Sequence, residues 1–240
     1  MTLGTSRRTT PLTIGVTRGH HDFQYEVGNL VERLSTNLRV LFGKWIRQLQ
    51  MPTQNQVAKS VEVLDPAGAF LCFNYTTALI HTYNIPQQQI LYIHGCAELP
   101  EENLTLGHAW RSEDRRSLND RLDVAELDPR LAEVHDILND YFSKTFNPSD
   151  QLIQKRAWFF EQLSDIQEVR LLGHSLSEVD ALYFEAMLRT TAVRKARFHL
   201  AISKFDDTDV MSGRLAALGV PAQQISTCSW AALCSLRPSK

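Results

Sequence analysis

Glu168-Val169-Arg170-Leu171-Leu172-Gly173-His174-Ser175-Leu176 is the stretch whose reading decides the fold. Its first five residues predict a short strand, and Gly173-His174-Ser175 ends it. Behind the turn, Ala181, Leu182, Phe184, Met187 and Leu188 recur at helical spacing, so the strand is expected to run into a helix. Two upstream stretches repeat the pattern. Residues 69–73 are an apolar run that meets Asn74-Tyr75-Thr76-Thr77 and then Leu79 and Ile80, while residues 90–93 stop at His94-Gly95. Downstream, residues 197–202 predict another strand, residues 215–218 a short helix and residues 224–227 a last strand. Strands alternating with helices predict an α/β fold with a mainly parallel, Rossmann-like sheet flanked by helices.

The rest of the chain is read around this frame. Val27, Leu30, Leu34, Leu38, Leu41, Trp45 and Leu49 recur at three and four, which predicts one long amphipathic helix over residues 23–49. Trp45 and Trp158 are expected in the core. Residues 1–22 read as a flexible N-terminal arm, and residues 23–240 as one α/β domain with a helical insertion around residues 111–165. Residues 104–108 are expected to form a third short strand ending in Gly107-His108. Arg111, Arg115, Arg116 and Arg121 alternate with Glu113, Asp114, Asp120 and Asp123, the pattern of a solvated face.

Composition narrows the classes. With 240 residues, 43% of them hydrophobic, the chain can bury a substantial core. Its formal charge of −2 supplies no positive field for nucleic acid or anionic membrane. Cys72, Cys96, Cys228 and Cys234 are too scattered for a zinc site, so reduced thiols and a cytoplasmic location are expected, with no metal. No apolar run is long enough to span a bilayer.

The chemistry is expected where the parallel strands end, because helix N-termini and loop N–H groups gather there. Asn74, His94 and Gly173-His174-Ser175 all follow predicted strands. The Asn74 amide can hold a ribose hydroxyl or a water, and His94 can exchange a proton. Gly173 lets a phosphate or ribose approach the backbone, and Ser175 adds a hydroxyl. Each has a plain structural reading as well. Asn74 or Thr76 could merely cap a helix, Ser177 and Asp180 have the spacing of a capping box, and His94 alone could be structural. The joint occurrence at strand ends favours a nucleotide site.

At Phe73-Asn74-Tyr75-Thr76, Ile93-His94-Gly95, Leu106-Gly107-His108 and the stretch from Gly173 to Asp180, the sequence resembles the bacteriophage abortive-infection AbiH family, a branch of the sirtuin-like group of NAD-handling domains. The resemblance implies an antiviral defence protein that consumes NAD as its substrate. It implies catalytic roles for Asn74 and His94, with Phe73, Tyr75, Thr76, Gly95, Gly107, His108, Gly173, His174, Ser175 and Asp180 around the cofactor. Chains of that family open with a strand and a Gly-Asn-Gly-Phe-Asp loop. Nothing in residues 1–22 matches it, so the chain reads as truncated or diverged there. Two functions follow as alternatives: an NAD glycohydrolase that depletes the cofactor on infection, or a non-catalytic module that senses a nucleotide or docks a defence partner. A homo-oligomer fits either.

Overall fold

A computed structural model describes residues 22–57, 59–99, 104–108, 116–120 and 128–236. The arm expected at the N-terminus lies outside them except for Asp22, as do Arg111, Arg115 and Arg121. The chain enters through helix α1 (Asp22–Glu32), passes a π-helical turn at Arg33–Asn37, and continues as α2 (Leu38–Ile46). Short strands β1 (Lys59–Val61) and β2 (Phe70–Cys72) follow, then α3 (Ala78–Tyr83), which Asn84 ends with a left-handed φ of 56°. Strand β3 (Ile90–Tyr92) precedes α4 (Pro129–Lys144), α5 (Ser149–Lys155) and α6 (Ala157–Glu161). Asp128 caps α4 by accepting the Arg130 N–H, and Pro129 takes the first helical position, where no N–H is needed.

The second half is the expected alternation. Strand β4 (Glu168–Leu172) leads to α7 (Ala181–Leu188) and α8 (Thr191–Lys195), and β5 (Arg197–Ile202) leads to α9 (Thr208–Ala217). Strand β6 (Ile225–Ser229), α10 (Trp230–Leu233) and β7 (Cys234–Leu236) complete it.

The fold is mixed α/β, and its parallel pairing is divided. Strands β2 and β3 form one parallel pair, while β4, β5 and β6 form a three-stranded parallel sheet in that order. A single Rossmann-like sheet is not what the described residues form. Strand β1 pairs antiparallel with β7, joining Ser60 to Ser235 across almost the whole described chain. Both parallel sheets share one core. Leu91 and Ile93 from the first meet Leu171, Phe198 and Leu200 from the second, with Phe159, Tyr183, Val193 and Leu215 filling the space between helices.

Three expectations fail. Residues 104–108 make no strand, only an isolated parallel bridge from His108 to Phe146. Gly107 is needed there because any Cβ would collide with the Thr145 carbonyl. Trp45 and Trp158 are not core: they are 54% and 48% exposed. Periodicity shows that a helix has an apolar face but not whether that face is covered.

Candidate functional site

Strand order brings the expected residues together. As β2 ends, Phe73 packs 4.3 Å from His174 and 5.5 Å from His94 between ring centroids, so the carboxyl ends of β2, β3 and β4 converge on one aromatic ring. At the next position Asn74 is exposed, and its Oδ1 accepts the Thr76 N–H at 3.2 Å. This local turn presents the amide rather than capping α3, whose N-terminal residue Thr77 makes no side-chain cap. The Tyr75 hydroxyl donates to the Thr105 carbonyl at 2.8 Å, and the Thr105 N–H returns to the His94 carbonyl at 2.8 Å. Tyr75 and Thr105 thereby fix the backbone that carries His94. Burial, with the negative charge of Asp180 nearby, pushes the Tyr75 phenol up to about 12, so it stays a donor.

The centre of the site is Asp180. Its Oδ1 lies 3.1 Å from His94 Nε2 and its Oδ2 lies 3.2 Å from His174 Nε2, so one carboxylate receives two imidazoles. The Leu176 N–H donates to His174 Nδ1 at 2.9 Å, which fixes the proton of that ring on Nε2, facing Asp180. His94 likewise presents Nε2 to the carboxylate. Its Nδ1 is buried and has no hydrogen-bond partner among the described residues. Burial resists ionisation of Asp180, but hydrogen bonds from His174 and His94 and their charge outweigh it and hold the carboxyl well below the ordinary carboxylate range.

This arrangement decides between two sequence readings of Asp180. A capping box would turn its carboxylate toward the helix N-terminus, yet Asp180 makes no side-chain cap there, and the Ser177 hydroxyl donates to Asp180 Oδ2 at 3.3 Å. The carboxylate serves the histidines. The turn from Gly173 to Leu176 is shaped for this: Gly173 has φ +67°, and Leu176 takes φ 53° although it is not glycine. A non-glycine residue in that region costs about 1–3 kcal/mol, and here the strain aims the Leu176 N–H at His174.

Other expected residues are placed differently. Gly95 forms the turn after His94, with φ 86° and its N–H donating to the Tyr92 carbonyl. Ser175 is exposed, and its carbonyl accepts Arg214 Nη1 at 2.6 Å. Gly107 and His108 are held at the end of α4, where the His108 N–H donates to the Thr145 carbonyl and its own carbonyl accepts the Asn147 N–H. Sequence reasoning missed Tyr183, which is fully buried, lies 5.4 Å from the His94 ring and donates its hydroxyl to Asn147 Oδ1 at 3.0 Å. Its position one turn inside α7 looks like any other core residue in the sequence.

Beside the cluster a cleft of about 850 Å³ runs between the sheets. Leu71, Cys72 and Phe73 form one wall, Val169, Leu171 and Gly173 the other, and Asn74 and His174 also line it. The outer edges of β2 and β4 therefore face one another across it, and among the described residues no strand pairs with either edge.

Fold and site together define a mixed α/β protein with a carboxylate-linked histidine pair where its parallel strands end. Residues 13–201 match the sequence model of the bacteriophage abortive infection AbiH family, and the chain belongs to that family. Membership gives it a role in abortive infection by bacteriophage. No curated protein and no solved structure matches the chain. Among the described residues no helix is long and apolar enough to cross a membrane.

Proposed function

We propose that this protein is an NAD glycohydrolase of the sirtuin-like kind, which cleaves the bond between nicotinamide and ribose and so depletes the cofactor in an infected cell. The observation that carries the reading is the orientation of His94. Asp180 holds its Nε2 side, and the buried Nδ1 has no hydrogen-bond partner among the described residues. In the reaction water adds to the anomeric carbon as the bond to nicotinamide breaks, leaving ADP-ribose, nicotinamide and a proton. His94 takes the proton of the water, Asn74 orients the ribose or the water through its amide, and Asp180 stabilises the imidazolium that forms. A cleft of about 850 Å³ is in the range that small-molecule sites occupy, roughly 300–1,000 Å³. Gly173 lines the cleft, and we assign it to the approach of the ribose and phosphates.

Nicotinamide release from NAD by the purified chain tests this. His94→Ala is expected to lower the rate by about 10²–10⁴-fold with the fold intact. A variant as active as the parent removes His94 from the mechanism.

A second reading has its own support in the two unpaired strand edges and the apolar walls of the cleft. An extended segment laid between β2 and β4 would join the two sheets into one Rossmann-like sheet, with its alternate side chains buried in the cleft. The protein would then be a non-catalytic docking or sensing module. NAD binding without nicotinamide release, by a chain whose His94→Ala variant binds equally well, favours that role.

A further inference from the structure

The helix running through α1 and α2 carries a second apolar face besides the one it buries. The residues it buries are Gln24, Val31, Ser35, Gly43 and Ile46, and the Ser35 hydroxyl donates to the Val31 carbonyl at 2.7 Å. Most of its large apolar residues nevertheless face outward. Leu30, Leu34, Leu38, Leu41, Trp45 and Leu49 are 53%, 47%, 49%, 59%, 54% and 38% exposed. Phe23, 52% exposed, extends the stripe at its N-terminal end, and a row of large apolar side chains this exposed marks an interaction surface rather than an ordinary solvated face.

We infer that this stripe is the interface of an antiparallel homodimer, in which the α1–α2 helix of one copy lies along that of a second copy. Two features commit the face to a second copy. The first is spacing. Leu34 and Leu38, and Phe23 and Leu49, are placed symmetrically about Thr36, and Trp45 is placed opposite the half-buried Val27, so a two-fold axis there sets the centre and both ends of the stripe against apolar residues of the second copy. The π-helical turn at Arg33–Asn37 lies on that axis. The second is charge. Asp22, Glu26 and Glu32 lie before Thr36, with Arg33 the one basic residue among them, and Arg39, Lys44 and Arg47 lie after it. Arg39 and Arg47 are partly engaged on the carbonyls of Lys144 and Ala97. Antiparallel pairing brings Glu26 of one copy near Lys44 of the other, whereas parallel pairing sets like against like.

Sedimentation equilibrium of the full chain at micromolar concentration tests the inference. The parent is expected to be a dimer, and Leu34→Glu with Leu38→Glu to raise its dissociation constant at least about 100-fold while circular dichroism stays unchanged. Because those two changes could disturb folding, the charges give an independent test. Glu26→Lys and Lys44→Glu should each weaken the dimer about tenfold, and the double variant, which restores opposite charges across the axis, should recover it. A chain that sediments as a monomer throughout overturns the inference and leaves the stripe to another segment of the same chain or to a different protein. A dimer indifferent to the leucine changes overturns it too, as does one that the charge changes weaken without recovery in the double variant.

Discussion

Asp180 shows how much one side chain can organise. A carboxylate bound by two imidazoles has a folded pKa below its ordinary value of 3.8, so the stability it contributes is complete above that value and is lost as pH falls below it. The urea midpoint of the parent should therefore drop more steeply than that of Asp180→Asn between about pH 4 and pH 2. Equal slopes would mean that the histidines give the carboxylate no net stabilisation. Cys72 carries a second prediction at this scale. Burial pushes its thiol up to about 11, with its Sγ near the Asn74 carbonyl partly opposing the shift. Alkylation of Cys72 by iodoacetamide at pH 8 should be far slower than that of a free cysteine model, as peptide mass spectrometry would read directly. The residues that could be named from sequence, Asn74, His94 and the Gly173 turn, were those that end strands. Asp180 entered the expected site only through the family resemblance, and its pairing with the histidines was not legible because Ser177-x-x-Asp180 spells a helix cap equally well.

Among the elements, those with unbroken local patterns were legible. Strand β4 was expected at residues 168–172 and β5 at residues 197–202, where both are found, because a short run of branched and apolar residues between turns has few other solutions. The long helix was legible as well, but not its π-helical turn or its outward apolar face. The segment ending in His108 was misread because Leu104 and Leu106 alternate like a strand, whereas Gly107 is shaped by contact with the end of α4. Gly107→Ala tests that contact. Forcing a methyl group against the Thr145 carbonyl should cost at least about 1–3 kcal/mol in urea unfolding. A neutral substitution would show that the segment can move away from α4.

At the scale of the whole molecule, pairing between distant strands was beyond the sequence. Nothing local in Lys59–Val61 names Cys234–Leu236 as its partner, and nothing in β2 or β4 announces that the sheets stand apart across a cleft. The class of fold was still correct, because it depends on the alternation of strands and helices rather than on which edges meet. The β1–β7 pairing also bears on the order of assembly. Just beyond β1, Val63, Leu64 and Asp65 wall the cleft, and the Glu62 N–H is tied to the Leu233 carbonyl. During synthesis the ribosome must therefore deliver residues 233–236 before that wall can be fixed. A nascent chain holds the histidine pair before it holds the strand pairing that anchors this wall, so the two parts of the candidate site are completed at different moments of synthesis.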